Sequence, residues 1–314
     1  MNTPLKWSRL DCQALLRFSG LEAITFLNAQ LTSDVKTLSP THTQYSGYCT
    51  PKGRLLCSML LWREAESVFM MLPAALAEAI QKRLTQYILR AKVKIEAVSD
   101  QYVMYVLSGK DSDSFITAQW GIEPLRPHET TLMGAIRMLK LPIDRHLIVC
   151  PKEEASLVQV PFENTGPSAE PSHWDLLDIE AGIASIGPIT QEQFVPQNVN
   201  FDCIGAVSFN KGCYPGQEIV ARTHFLGTVK QRLVRAQLQT TQTTQTPQIG
   251  DKLYSPTFGE QVCGQVVSVV HHPDHTHDLL VVLQTASINK NDATWGQPNG
   301  IGLHCIPTPY PIPS

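Results

Sequence analysis

The stretch FNKGCYPGQEIVAR, residues 209–222, places a single cysteine, Cys213, between two glycines and ahead of a proline and a helix-like run. Gly212 and Gly216 permit positive φ or the close approach of another backbone segment, and the proline fixes one torsion before the predicted helix. A thiol at the start of a helix faces unpaired N–H groups and the positive end of the helix dipole, and both lower the pKa of a thiol. The alternative is a tight turn in which the cysteine only fills space, since reduced cysteines are among the most buried residue types.

Two basic side chains in the same stretch bear on that thiol. Lys211 lies two residues before the cysteine and is expected to lower the pKa of the thiol further. Arg222 acts in the same direction if the helix turns its side chain toward the loop. The spacing of these residues does not by itself identify a reaction.

Length and composition indicate an ordinary globular chain. Its 314 residues predict two or three domains, each able to bury its own core. Apolar residues make up 43% and charged residues 17%, with a net charge of −3. This balance argues against a general nucleic-acid binder held by a basic surface, while a local basic groove stays possible. No signal-peptide core and no run of roughly 20 apolar residues is present, which predicts a cytoplasmic protein with no membrane partner.

The cysteines and histidines do not have the spacing of a metal site. Eight cysteines, none in a C-x-x-C pair, stand at positions 12, 49, 57, 150, 203, 213, 263 and 305. A zinc site or an iron–sulphur cluster built by this chain alone is therefore not expected. Four histidines are assigned to a solvated hairpin loop, because no second cluster completes a metal geometry: His271, His272, His275 and His277.

Hydrophobic periodicity predicts an α+β region followed by a small all-β domain that begins at about Arg232. The predicted helices are residues 21–35, the run after Pro73 and residues 113–120. The predicted strands are residues 53–62, 92–98, 102–107, 134–141, 146–150, 265–270 and 279–284. Residues 161–173 and the low-complexity residues 239–248 are predicted to be loops, the second of them mobile.

The cysteine stretch resembles the YgfZ family of folate-binding proteins, whose signature is K-G-C-[FY]-x-G-Q-E. The signature is matched here at Lys211, Gly212, Cys213, Tyr214, Gly216, Gln217 and Glu218. The resemblance continues through FLNAQLTSDV, TPKGRLL and YILRAKVKI and covers most of residues 10–230. The family is similar to the aminomethyltransferase (T-protein) of glycine cleavage. That similarity implies a three-lobed α+β fold around a central folate pocket, with two interleaved lobes in residues 1–231 and a C-terminal β-barrel in residues 232–314.

The resemblance also implies a function. Proteins of this family are tetrahydrofolate-dependent accessory factors that support the assembly or repair of iron–sulphur enzymes, including those that thiolate tRNA. The expected partners are therefore folate and these enzymes, and direct tRNA binding is left open. The functional thiol of the family corresponds to Cys213.

A folate pocket needs a flat stacking surface and a carboxylate that accepts hydrogen bonds from the pterin ring. The segment HWDLLDIEAGI contains Trp174 and Glu180, and similar proteins contact folate at these two positions. Without the family, a tryptophan that covers core and a solvated glutamate are the favoured explanation of the segment, because glutamates are mostly exposed. Some relatives carry a second tryptophan where this chain has Gln13, which implies a weaker pocket wall.

A second departure from the T-protein concerns its catalytic aspartate. The corresponding stretch is PKGRLLCSML, with Leu56 and Cys57 where the acids belong. Leucine cannot exchange a proton, and burial in an apolar strand raises the pKa of a cysteine. Glycine-cleavage chemistry is therefore not expected. The alternatives are a one-carbon transferase with an unknown donor and a tRNA- or protein-binding module whose folate pocket is vestigial.

Basic residues flank the predicted pocket elements at Lys52, Arg54, Arg90, Lys92 and Lys94. Contacts with the glutamate tail of folate or with an RNA phosphate would use such residues. A solvated charged face is the more ordinary explanation.

Overall fold

A computed structural model describes residues 5–240 and 245–313. The chain divides into two compact units, each assembled from three segments. Unit 1 comprises Met1–Leu27, Val35–Gln44 and Met59–Trp174, and unit 2 comprises Asn28–Asp34, Tyr45–Ser58 and Asp175–Ser314. The boundary expected at residue 231 falls inside unit 2. The predicted loop at 239–248 lies partly outside the described residues, because 241–244 are not among them.

The secondary structure mixes strands and helices throughout. The strands are β1 Lys6–Arg9, β2 Gln13–Ser19, β3 Thr43–Cys49, β4 Leu55–Glu64, β5 Ser67–Pro73, β6 Lys94–Ala97, β7 Tyr102–Ser108, β8 Thr130–Met133, β9 Ile136–Leu141, β10 Arg145–Pro151, β11 Gln231–Gln239, β12 Lys252–Tyr254, β13 Gly264–His271, β14 Thr276–Gln284, β15 Thr294–Trp295, β16 Ile301–Gly302 and β17 His304–Ile306. The helices are α1 Ala23–Asn28, α2 Ala74–Thr85, α3 Ser112–Trp120, α4 Ser156–Glu163, α5 His173–Ala181, α6 Gln217–Phe225 and α7 Thr285–Lys290. Short 3-10 turns lie at Val35–Thr37, Lys152–Glu154, Pro196–Val199 and Pro256–Phe258.

Unit 1 contains an antiparallel sheet in the order β1-β7-β10-β9-β8. Its core is aromatic, with the rings of Trp7, Tyr105 and Trp120 all within 6 Å of Phe162. The expected loop at residues 161–173 is wrong at both ends, because residues 161–163 end helix α4 and His173 begins helix α5. Burial of Phe162 in this cluster outweighs the loss of the helix hydrogen bond that Pro161 cannot donate.

Unit 1 also contains strands β5, β2 and β6, which pair antiparallel with each other and with the second half of β4. Helix α2 begins directly after Pro73, as predicted, and buries Leu76, Ile80 and Leu84 on one stripe. The predicted helix at 21–35 is shorter, because α1 ends at Asn28. The residues that follow belong to unit 2.

Unit 2 ends in the predicted all-β domain. Seven strands run in the order β16-β15-β12-β13-β14-β11-β17, and contacts between β11 and β16 nearly close them into a barrel. The barrel encloses an apolar core that includes Val234, Leu253 and Val281. A second cluster of unit 2 packs barrel residues such as Val267 against Ile179 and other residues outside the barrel.

The histidines assigned to a solvated loop are in part strand residues, which corrects that interpretation. Strand β13 runs through His271, and β14 begins at Thr276, so only the tip between them is a turn. His277 is buried, and its ring contacts the side chains of His271 and Thr240. Within the described ranges no three His, Cys, Asp or Glu side chains group as metal ligands. None of the described helices has both the length and the apolarity to cross a bilayer.

Candidate functional site around Cys213

The Cys213 thiol is exposed at the outside of a loop that leads into helix α6 of unit 2. Most of the other cysteines are buried or partly buried, and Cys12 is the other exposed one among the described residues. The reading of Cys213 as a packing residue is therefore wrong, since the side chain fills no interior space. An exposed cysteine can meet a partner molecule without any opening of the fold.

Two residues near the cysteine, Lys211 and Tyr214, point inward and hold the loop in place. The Lys211 ammonium donates hydrogen bonds to the carbonyl oxygens of Leu31 and Ser33 at 2.7 and 2.6 Å. The same ammonium lies 5.2 Å from the centre of the Tyr214 ring. Tyr214 is buried, and this burial raises the pKa of its phenol well above the ordinary value. Lys211 thus anchors the loop, a role that its position beside the thiol did not predict.

The carbonyls that receive Lys211 belong to the segment Asn28–Asp34, which is itself fixed by side-chain hydrogen bonds. Thr32 Oγ1 donates to the carbonyl of Ala206 at 2.6 Å, and Ser33 Oγ bonds Ser46 Oγ at 2.8 Å. The backbone N–H of Ser208 donates to the carbonyl of Thr32. Hydroxyl side chains that satisfy other backbone groups disfavour helix, which explains why the helix predicted through residue 35 ends early.

One of the two glycines is required by a close approach of two turns. Gly216 has φ of 82°, and a Cβ placed on it would lie 2.5 Å from the carbonyl oxygen of Thr50 and 2.6 Å from Cα of Gly53. Gly53 also has positive φ, and its own added Cβ would meet Ile219 at 3.0 Å. Gly212 lacks positive φ, and a Cβ there would meet no atom within 4 Å. The loop is therefore locked to the turn at residues 50–54 through Gly216.

Helix α6 carries the remaining residues of the signature. The Gln217 side chain donates to the Lys211 carbonyl at 3.4 Å, while Glu218 and Arg222 are exposed. Farther along the helix, the ring of His224 stacks on Phe209, with centroids 3.7 Å apart and planes within 10°. No local pattern indicates this stacked pair, because its members lie fifteen residues apart.

Trp174, the predicted folate contact in unit 1, is 3% exposed. The Arg145 guanidinium lies 4.7 Å from the centre of its ring, so one face of the indole is already covered. The adjacent His173 bonds Ser108 Oγ at 2.8 Å. Burial, with the positive charges of Lys6 and Arg145, lowers the pKa of His173 to about 4. The indole is thus an interior side chain with one covered face rather than an open stacking platform.

Glu180, the second predicted folate contact, lies near the end of α5 in unit 2 and is exposed. Gln13, at the position where some relatives have a tryptophan, is half-buried at the start of β2. Of the site residues predicted from the sequence, those from Lys211 to Glu218 thus lie together on one loop and the start of helix α6. Trp174 and Glu180 share a helix but belong to different units.

The positions that correspond to the acids of the T-protein are interior. Leu56 is 5% exposed and Cys57 is fully buried in strand β4. Burial raises the pKa of the Cys57 thiol far above its ordinary value, as expected from the apolar strand. Neither side chain can take or give a proton near neutral pH.

Comparisons with known proteins agree with this architecture. Residues 10–130 match the family described as the GCVT N-terminal domain. The tRNA-modifying protein YgfZ of Yersinia pestis (strain Pestoides F) is 30% identical over 232 residues, which are 73% of this chain and 70% of that protein. The protein of the same name from Edwardsiella ictaluri (strain 93-146) is 32% identical over 234 residues, with the same coverage.

Among solved structures, the glycine cleavage system aminomethyltransferase T from Bartonella henselae aligns with a TM-score of 0.75 and 16% identity. The alignment covers 98% of this chain and 86% of that one, and it shows that the two share a fold. The identity and coverage of the YgfZ relatives, together with the matched K-G-C-Y-P-G-Q-E loop, show more than a shared fold. The chain belongs to the YgfZ family.

Proposed function

We propose that this protein is a tetrahydrofolate-binding accessory factor that acts in tRNA modification by supporting the assembly or repair of iron–sulphur enzymes. The observation that carries the proposal is the exposed thiol of Cys213 on a loop locked at Lys211, Tyr214 and Gly216. Membership of the YgfZ family and the aminomethyltransferase-like fold support it. The client enzymes in this proposal are those that thiolate tRNA, and the protein works in the cytoplasm.

The residues assigned to folate fit the cofactor unequally. Glu180 is an exposed carboxylate, so it can accept hydrogen bonds from the ring N–H groups of a pterin. Trp174 is buried, with Arg145 over its ring, so we assign it to a rigid pocket wall. When bound, a tetrahydrofolate would supply one-carbon or reducing chemistry. The task of these side chains is to bind and orient it.

The buried positions Leu56 and Cys57 disfavour the first alternative, a one-carbon transferase of the T-protein type. Turnover of methylene-tetrahydrofolate by the purified protein would revive that alternative. The second alternative is a binding module with a vestigial folate pocket. Calorimetry that gives no heat with tetrahydrofolate, alongside measurable tRNA binding, would favour it.

The thiol is tested by complementation of the tRNA-thiolation defect in cells that lack the protein. We expect Cys213→Ser to fold normally, because the side chain is exposed, and to fail to restore thiolation. The matched control is Cys12→Ser, which removes the other exposed thiol and should restore thiolation fully. Full rescue by the Cys213 variant would remove the thiol from the mechanism.

The folate pocket is tested by titration of tetrahydrofolate in a calorimeter. Glu180→Gln should weaken binding by roughly 10- to 100-fold, since a hydrogen bond to a charged group contributes about 1.5–3 kcal/mol. The control is Glu163→Gln, a change at an exposed carboxylate of helix α4. Trp174→Ala should abolish saturable binding, and circular dichroism checks that this variant is folded. Unchanged affinity in both test variants would place the folate elsewhere.

A further inference from the structure

The surface around the exposed thiol is basic in a chain that is acidic overall. Residues 50–54 and 209–230 contain five lysines and arginines against one acidic residue, Glu218, whereas the whole chain has a net charge of −3. One of the five, Lys211, is directed to the backbone carbonyls of Leu31 and Ser33. The other four are exposed, and three of them lie on the turn at residues 50–54 or on helix α6. These three constitute what we call the basic face: Lys52, Arg54 and Arg222.

The turn and the helix that carry the basic face are in contact. Gly53 lies against Gly216 and Ile219, which brings the turn between Lys52 and Arg54 to the start of helix α6. The Arg54 guanidinium donates to the carbonyl of Gln193, and this bond holds the side chain in place. Across residues 5–240 and 245–313, none of the three cations of the face has an ion-pair partner. Such uncompensated positive charge is complementary to a polyanion.

An aromatic platform lies on the same helix as Arg222. The exposed His224 ring is stacked on Phe209, and Phe209 packs against the apolar cluster of unit 2. Phe225 is 64% exposed and meets the His224 ring edge-on at 4.8 Å. One face of His224 is thus supported from the interior, which makes the ring a rigid surface on which a flat ring can stack. Nucleobases stack on such rings without regard to sequence.

From these contacts we infer that the basic face and His224 bind single-stranded RNA, with phosphates on the three cations and one base stacked on the imidazole. This inference rests on the proposed function and deepens it by naming the ligand of the surface around Cys213. Exposed Phe225 and Leu226 would also suit an apolar protein partner. Three cations without acidic partners favour the polyanion, since a protein interface is depleted of charge at its centre.

The inference is tested by fluorescence anisotropy with a labelled single-stranded RNA of about 12 nucleotides, a length within the range that such sites cover. Wild-type protein should bind at low salt, and the affinity should fall linearly with salt on logarithmic axes, with a slope near −0.7 per phosphate contact. His224→Ala should weaken binding by roughly 5- to 150-fold, because base stacking contributes about 1–3 kcal/mol. Arg222→Gln should reduce the salt slope by about 0.7.

Matched controls come from the barrel. The His304→Ala variant lacks an exposed imidazole and the Lys252→Gln variant lacks an exposed ammonium, both far along the chain from the basic face. Both variants should bind RNA as the wild type does. Absence of saturable binding at low salt, or equal losses in His224→Ala and His304→Ala, overturns the inference and leaves the face to a protein partner. Cys213→Ser should keep RNA binding while losing complementation, so failure of the thiol mechanism and failure of RNA binding are separate results.

Discussion

Replacing Gly216 with alanine tests whether the cysteine loop is held by the close approach of two turns. The new Cβ would lie 2.5 Å from the Thr50 carbonyl oxygen and 2.6 Å from the Gly53 backbone, all of which are main-chain atoms that cannot rotate away. The residue also keeps φ near 82°, where an L-residue costs about 1–2 kcal/mol. Overpacking against fixed atoms costs about 1–3 kcal/mol more. The expected loss in free energy of unfolding is therefore about 2–5 kcal/mol.

Differential scanning fluorimetry measures this loss as a fall in melting temperature of roughly 5–15 °C. Hydrogen exchange should show faster exchange in the peptide that covers residues 211–219. The control is Gly212→Ala in the same loop, which adds the same methyl group into open space at ordinary φ. Its melting temperature should stay within about 1 °C of the wild type, as for most surface substitutions.

Either of two results would refute this reasoning. A Gly216→Ala protein with the melting temperature of the wild type would mean that the two turns separate without loss of stability. Equal losses in both variants would mean that the loop needs glycine for flexibility and not for the contact with Gly53.

The remaining predictions concern the anchors and the buried charges. Lys211→Met should lower the free energy of unfolding by about 1–3 kcal/mol in urea titration, because two carbonyls lose a charged donor; Lys252→Met is the exposed control, and equal midpoints would contradict the anchoring role. Asp202→Asn should cost about 3–5 kcal/mol, since it strips a buried Arg232 of a carboxylate bonded at 2.7 and 3.0 Å; a loss under 1 kcal/mol would refute that. Burial and the charge of Lys140 lower the pKa of His146 from 6.5 to about 4, so the unfolded chain binds more protons below pH 6.5 and stability falls as the pH drops from 6.5 to 4. His146→Gln should flatten the dependence of the free energy of unfolding on pH, measured by urea titration at several pH values. An unchanged dependence would mean that other groups cause the loss of stability in acid.

Local patterns in the sequence predicted seven of the seventeen described strands, among them β4, β13 and β14, and four of the seven described helices. Helix α2 begins after Pro73 because proline suits the first turn and the apolar residues recur at helical spacing. The hairpin β13–β14 follows from two apolar runs on either side of a turn. Local pattern failed at residues 161–163, where the burial of Phe162 among distant rings decides the structure.

The residues of the candidate site were predicted from the sequence, but the contacts that these residues make were not. The signature identified the loop, but the partners of Lys211 and Gly216 lie more than 150 residues earlier in the chain, beyond the reach of any local pattern. Lys211 was expected to act on the thiol by its charge, whereas its ammonium is bonded to two carbonyls. The stacked pair of Phe209 and His224 was not predicted either, because the two rings meet only where the loop and helix α6 fold together.

The carbonyls that secure Lys211 come from Asn28–Asp34, while the lysine itself is made nearly two hundred residues later. During synthesis, the early segment therefore emerges long before its partner exists, and unit 2 can close only when most of the chain has left the ribosome. A fragment that starts at residue 175 contains Cys213 but lacks the carbonyls of Leu31 and Ser33 that hold Lys211. Co-expression of that fragment with residues 1–174 is the arrangement in which the thiol would regain its fixed position.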